Sequence, residues 1–160
     1  MDRKNLLSKK DILLVLIWTV ILTLVIIRVH WILYQKSERL RHYRIAFSIY
    51  EVPHVGVLDI VVLLLSTILI VMVFSDIKPI FYGFLAAHIS AFCLGLIYVF
   101  LFIWYGLDYR VLYSLSPYGW EYVMLMAIYN ILFIMFPWLI AVGILGAIAG
   151  LILRGFLLST

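Results

Sequence analysis

Cysteine is almost missing from this chain, since Cys93 is the only one among 160 residues. A single thiol excludes an intrachain disulfide and a Cys-x-x-Cys redox pair, and it cannot by itself hold an iron–sulfur cluster. The sequence therefore excludes the small four-helix thiol oxidoreductases that relay electrons through paired cysteines.

Charged residues are also scarce in this chain. Asp, Glu, Lys and Arg make up 12% of the residues, whereas 67% are hydrophobic. The charged residues lie almost entirely outside four apolar stretches, at 12–34, 55–75, 80–106 and 121–153. Each stretch reaches the roughly 20 residues with which a helix crosses a bilayer core of about 30 Å. A soluble domain of this size could not bury so much apolar surface. The sequence predicts an all-α, multi-pass integral protein of the cell membrane, a single helical transmembrane domain over 1–160 with four spans.

The four spans leave no length for a soluble domain. Nucleic-acid binding needs a basic face on a folded domain, so nucleic acid is not an expected partner. The formal net charge of +4 is modest, and in a membrane protein basic residues are expected to meet lipid headgroups.

Basic residues concentrate in the segment at about 35–51, between the first two spans. Its pattern is amphipathic, with basic side chains on one side and apolar rings and leucine on the other. Two interpretations stay open: a short helix lying in the membrane interface, or a continuation of the first helix out of the membrane. In either case the residues expected to contact lipid headgroups are Lys36, Arg39, Arg41 and Arg44.

The last apolar segment, 121–153, is too long for one upright span, and Pro137 lies near its middle. Either one tilted, kinked helix or two short helices in a hairpin would accommodate it, the second giving five spans in all. A hairpin needs polar turn residues, and Phe136-Pro137-Trp138 supplies none. The sequence therefore favours a single helix kinked at Pro137.

Short connections and flanking charges bear on the topology. Ser75-Asp76-Ile77-Lys78-Pro79 forces a tight reversal, so the second and third spans are predicted to be antiparallel neighbours. Basic residues divide almost evenly between the two membrane sides. A cytoplasmic N-terminus is nevertheless predicted, because a basic tail precedes the first span, which is expected to serve as a retained signal anchor.

Small residues recur at fourfold spacing on the last two spans and form smooth helix faces. Close backbone approach drives helix association in lipid, so these faces should pack against another span of this chain or against a partner chain. The predicted packing residues are Gly83, Ala87, Ala91 and Gly95 on the third span, and Gly143, Gly146, Ala147 and Gly150 on the last.

His88 is the strongest candidate for chemistry, because it lies about 12 Å into the third span, where an imidazole needs a partner. A structural histidine bonded to Ser66, Thr67, Asn130 or a backbone carbonyl is one interpretation. A cofactor-binding role in proton or quinone handling is the other. His30 should lie about 15 Å away in depth, which argues against haem ligation by the two histidines.

Two charged residues lie inside predicted spans. Arg28 is expected to snorkel to the interface or to find a partner inside the bundle. Asp59 lies with Glu51 and His54 around the start of the second span, where a polar interface cluster is favoured over a metal site. Asp59 is expected to stay wet or to pair with a base in the adjoining loop.

These features predict a small accessory subunit of a larger integral-membrane complex, without catalytic residues, metal or cofactor of its own. Its expected partners are other integral-membrane subunits and membrane lipids. The alternatives are a membrane redox or quinone-interacting protein that uses His88, and a small homo-oligomeric transporter or channel built around the third span.

Overall fold

The computed structural model describes residues 8–39, 55–106 and 119–159, and every regular element among them is a helix. Two π-helical turns interrupt the α-helical geometry, at Phe102–Gly106 and Met135–Leu139. The α-helices are α1 Lys9–Arg39, α2 Val57–Val73, α3 Ile77–Leu101, α4 Gly119–Ile134 and α5 Ile140–Ser159.

The helices agree with a membrane protein. Three apolar helical stretches are long enough to cross a bilayer, namely Lys9–Gln35, Ile77–Tyr105 and Gly119–Leu157. A fourth, α2, is equally apolar but has only 17 residues. The all-helical class predicted from the sequence is thus confirmed, with three helices that could span a membrane, and the count of four spans stays a prediction.

The first helix extends beyond its predicted span, since α1 continues without a break to Arg39. This continuation was one of the two interpretations of the segment at 35–51. The rest of that segment lies outside the described residues, including Arg41 and Arg44, and so do the side chains of Lys36 and Arg39.

The core forms around α1, which buries one stripe of large side chains. α1 packs along α3 and also contacts α2, whereas α2 packs mainly along α5 and α3 contacts α4. The prediction that the second and third spans are neighbours is therefore wrong, although they do run antiparallel. Small residues of α3 fit closely against α1 and those of α5 fit closely against α2, and these fits determine which helices pack together. The fully buried α1 side chains are Trp18, Leu22, Ile26 and Val29.

The small-residue face of α3 packs within the chain. Gly83, Ala87, Ala91 and Gly95 are all buried. A Cβ atom at Gly83 would lie 3.0 Å from the Val15 side chain, and one at Gly95 would lie 3.1 Å from Ile26. The face therefore lets α3 approach α1 closely, and its four small residues are covered by the rest of the chain.

The small-residue face of α5 also packs within the chain, where Gly143, Gly146 and Gly150 are buried and Ala147 is half-buried. A Cβ atom at Gly143 would lie 3.2 Å from His88 Nε2, and one at Gly146 would lie 2.9 Å from Thr67. These faces were expected to pack against another span of this chain or against a partner chain, and the structure shows them packed against other helices of the same chain.

The last apolar segment is interrupted but not folded back. Phe136 has an extended backbone (φ −111°, ψ 130°) inside the π-helical turn, and its bond to Pro137 is cis. Gly143 lies beside His88, and the guanidinium of Arg154 donates to the carbonyl of Ser75 at the end of α2. α5 therefore continues in the direction of α4 and runs parallel to α2. The predicted kink at Pro137 is present and the alternative hairpin is not.

Candidate functional site

The first polar site joins α1 to the start of α2. Arg28 Nη1 donates to Asp59 Oδ1 at 2.5 Å, and Asp59 Oδ2 accepts the backbone N–H of Gly56 at 3.2 Å. The Asp59 side chain is only 1% exposed, whereas that of Arg28 is 46% exposed. The carboxylate is therefore held entirely inside the protein, and the guanidinium forms its outer side.

This pair agrees with one of the two alternatives expected for Arg28 and corrects the expectation for Asp59. Arg28 does find a partner inside the bundle, and Asp59 pairs with a base on α1 instead of staying wet or meeting one in the adjoining loop. The reason is tertiary, because antiparallel packing of α1 on α2 places the two residues at the same level. Glu51 and His54, expected beside Asp59, lie outside the described residues.

An apolar cleft opens on the lipid side of this ion pair, between α1 and α2. Its volume is about 230 Å³. Arg28 and Asp59 contribute the polar part of the wall, and the remaining lining residues are Ile21, Leu24, Val25, Leu58 and Val62.

The second polar site lies at the opposite end of α1 and is centred on Asp11. Its carboxylate accepts hydrogen bonds from the backbone N–H of Ser75 at 3.1 Å and from the Ser75 hydroxyl at 2.7 Å. Arg154 donates to the carbonyl of the same serine at 2.9 Å. Asp11 thus links the start of α1 to the end of α2, and the Ser75 carbonyl links the same point to Arg154 of α5.

Sequence reasoning missed Asp11, although a local signal was present. Ser8 and Asp11 form a reciprocal capping arrangement, in which Asp11 N donates to the Ser8 hydroxyl and Ser8 N donates to the Asp11 carboxylate. A serine followed three residues later by an acidic residue just before an apolar run marks such a helix start. The partner Ser75 could not have been found in this way.

We expect Asp11→Ala to lower the free energy of unfolding by about 2 kcal/mol, because it leaves the Ser75 N–H and hydroxyl without their acceptor. Asp76→Ala is the control, since Asp76 is exposed and accepts one bond, from Ile77 N at 2.7 Å. Its cost should be about 1 kcal/mol or less. Unfolding in detergent micelles, followed by circular dichroism, measures both. Equal costs would show that Asp11 acts only as a helix cap.

The third polar site is the environment of His88 at mid-bundle. His88 Nδ1 lies 2.8 Å from the carbonyl oxygen of Phe84, and a carbonyl only accepts, so Nδ1 carries the proton. In a neutral imidazole Nε2 is then an acceptor. Nε2 is buried beside Gly143 and has no hydrogen-bond partner among the described residues.

Two of the four other buried polar atoms without a partner in the described part of the chain are Trp18 Nε1 and Thr67 Oγ1. The rings of Trp18 and His88 meet edge to face at 6.1 Å, and Thr67 lies against Gly146 on α5. His88 and Thr67 therefore lie against the first turns of α5, just after its interruption, and Trp18 contacts His88; we call Trp18, Thr67 and His88 the polar centre. It offers one N–H donor, one hydroxyl and one ring acceptor.

Ser66 and Asn130, two of the other partners proposed for His88, bond their own helices instead. Ser66 donates to the carbonyl of Leu63 at 3.0 Å, and Asn130 donates to that of Met126 at 2.8 Å. Of the predicted alternatives, the structure shows a backbone carbonyl, that of Phe84. Polar side chains in helices often bond back to the preceding turn.

His30 lies near the other end of the bundle, where its ring contacts those of Tyr98 and Phe102 at 5.6 and 5.1 Å. Tyr98 is ten residues beyond His88 on α3, which corresponds to about 15 Å. The two histidines thus lie at different depths. The described segments contain no group of three or more His, Cys, Asp or Glu side chains placed to hold a metal ion.

No protein-family model, no curated protein and no solved structure matches this chain. What the protein can do must therefore be inferred from the Arg28–Asp59 pair, the Asp11 site and the polar centre.

Proposed function

We propose that this protein is a small non-catalytic subunit of a larger integral-membrane complex, in which it braces neighbouring subunits and lipid. The observation that carries the proposal is how its polar side chains are used. Arg28 bonds Asp59, Asp11 bonds Ser75, and Asn130 bonds the carbonyl of Met126. The first two contacts join different parts of the chain, the third lies within one helix, and none of these groups is paired as a nucleophile with a base.

In this proposal the chain crosses the membrane four times, with α2 as the shortest crossing. Seventeen residues span about 26 Å, slightly less than a bilayer core of about 30 Å. Local thinning of the bilayer, or packing against longer helices, accommodates such a mismatch. α2 has a longer helix on each side, α1 and α5, which supports this reading.

Partner subunits would meet the outward faces, because the small-residue faces are buried inside the chain. The outward faces carry large apolar side chains such as Leu16, Phe81, Leu125 and Phe156, all more than half exposed. Between helices in lipid, such surfaces associate through dispersion contacts and shape. Bracing would therefore depend on side-chain fit, with no charge or catalytic group required.

The test is a pull-down of the native protein in mild detergent, with partners identified by mass spectrometry. The proposal predicts unlike membrane subunits in stoichiometric amounts, and loss of their assembly when this chain is deleted. A lone chain or a homo-oligomer that leaves all other membrane complexes intact would contradict it.

A membrane redox or quinone-interacting protein is the second candidate, favoured by the free Nε2 acceptor of His88 in the polar centre. Such an acceptor could receive a hydrogen bond or a proton from a quinol hydroxyl. The interrupted helix beside it adds support, because Pro137 cannot donate to the carbonyl of Phe133, one turn earlier. A bound chromophore, or quinol-dependent activity of the purified protein, would favour this candidate.

His88→Phe separates the two candidates. In the parent protein the ring centroids of His88 and Phe84 are 4.0 Å apart. A phenylalanine at position 88 keeps this ring contact and loses one hydrogen bond worth about 1 kcal/mol. For a bracing subunit we expect normal co-purification with unlike chains. Loss of a quinol-dependent activity with intact assembly would instead identify His88 as a functional group.

A further inference from the structure

Two aromatic residues that follow Arg28 on α1 indicate the level of the lipid headgroups. Trp31 and Tyr34 follow Arg28 within two turns of α1, and both rings contact Phe102, at centroid distances of 6.0 and 4.8 Å. Trp and Tyr rings collect at headgroup depth in membrane proteins. Arg28 is about 4.5 Å below Trp31 along the helix, and a long arginine side chain covers such a distance by snorkelling.

The side of the ion pair that faces lipid is cationic. Asp59 is 1% exposed and both of its oxygens accept hydrogen bonds, from Arg28 and from Gly56. The guanidinium has five N–H donors in all, and its side chain is 46% exposed. A molecule arriving from the bilayer therefore meets the exposed guanidinium, whereas the Asp59 carboxylate, which also lines the cleft, is covered and has both oxygens bonded. Phosphate oxygens are the acceptors that suit a planar guanidinium best.

The cleft below Arg28 suits an acyl chain. Ile21 and Arg28 are seven residues apart on α1, so the cleft runs for about 10 Å along the helix and roughly parallel to the lipid chains. Away from the Arg28–Asp59 end its walls are apolar, and ordered water needs polar partners that these walls do not offer. The cleft is also open to the bilayer, because Leu24 is 60% exposed and Leu58 is 59% exposed.

We propose that the cleft between α1 and α2 binds one phospholipid molecule, with its phosphate on Arg28 and one acyl chain along Ile21, Leu24 and Val62. Charge complementarity at the mouth and the apolar lining below it carry the assignment. The site is separate from the proposed bracing role, and it can bind lipid whether or not the chain has protein partners.

The test is native mass spectrometry of the detergent-purified full chain, titrated with phosphatidylglycerol and with a diacylglycerol that has the same chains. We expect one phosphatidylglycerol per chain, bound about tenfold more tightly than the diacylglycerol. Equal affinity for the two lipids would overturn the role of Arg28.

Leu24→Trp fills the cleft and should weaken phosphatidylglycerol binding about tenfold. Leu16→Trp is its matched control, since Leu16 is on the same helix, is 57% exposed and does not line the cleft. Equal binding by both variants would show only a general lipid annulus and would overturn the site.

The charge is tested with Arg28→Gln/Asp59→Asn, a neutral pair that keeps a hydrogen bond possible and avoids an isolated buried carboxylate. We expect this variant to bind the two lipids equally. A retained preference for phosphatidylglycerol would place the phosphate elsewhere. As an independent check, a photocrosslinker at Val62 in native membranes should yield a lipid adduct, and a polypeptide adduct instead would assign the cleft to a protein partner.

Discussion

Gly150→Leu should separate α5 from α2 and lower the free energy of unfolding by about 3 kcal/mol, one of the two largest single effects expected in this protein. A Cβ atom at Gly150 would already lie 2.9 Å from Val71 Cβ and 3.0 Å from the carbonyl oxygen of Ile68. The second contact is with backbone, which cannot rotate away as a side chain can. The helices would have to move apart along their whole contact.

Gly155→Leu is the matched control on the same helix. A Cβ atom at Gly155 meets nothing within 4 Å, so a leucine there has room. Because glycine weakens a helix interior by about 1 kcal/mol relative to alanine, this variant should be neutral or slightly more stable than the parent.

Unfolding in mixed micelles of mild detergent and sodium dodecyl sulfate, followed by circular dichroism, measures both variants. Gly150→Ala should lie between the parent and Gly150→Leu, because its single methyl already makes the two short contacts. If Gly150→Leu and Gly155→Leu unfold at the same denaturant fraction, α5 does not pack on α2 through this face.

Arg28→Ala should also cost about 3 kcal/mol, as much as Gly150→Leu, because it leaves the buried Asp59 carboxylate without its counter-ion. Asp59→Ala should cost less, about 1 kcal/mol, since the guanidinium it leaves behind is half-exposed and can turn toward lipid headgroups or water. The same unfolding measurement should therefore show an asymmetry between the two partners of one ion pair.

Two further variants give this prediction its controls. Arg28→Gln/Asp59→Asn removes both charges and should recover most of the stability lost in Arg28→Ala. Asp76→Asn removes one carboxylate at an exposed helix start and keeps the capping oxygen, so it should be close to neutral. Equal costs for Arg28→Ala and Asp59→Ala would mean that Asp59 is not buried in the folded protein.

The sites could be foreseen only in part. A partner for His88 was expected, and the carbonyl of Phe84 was among the candidates because it lies one turn away on the same helix. The Arg28–Asp59 and Asp11–Ser75 contacts were not foreseen as pairs, because their members are separated by 31 and 64 residues. Local patterns identify a polar residue that needs a partner, but they do not say which distant residue supplies it.

The apolar, helical character of the chain and the interruption of its last helix could be predicted from local sequence alone. In lipid the backbone must satisfy its own hydrogen bonds, so an apolar stretch of about 20 residues has to be a helix. The break at Pro137 is equally local, because proline lacks the N–H that a helix needs at that position.

Which helices pack together depends on contacts between distant parts of the chain. Gly83 and Gly95 fit against Val15 and Ile26 of α1, whereas Gly146 and Gly150 fit against α2. By composition alone, each apolar helix could pack against any other. Which helices do pack depends on how closely the shapes of their two surfaces fit. That choice put α2 beside α1 and α5 rather than beside α3, and so created the ion pair, the Asp11 site and the cleft.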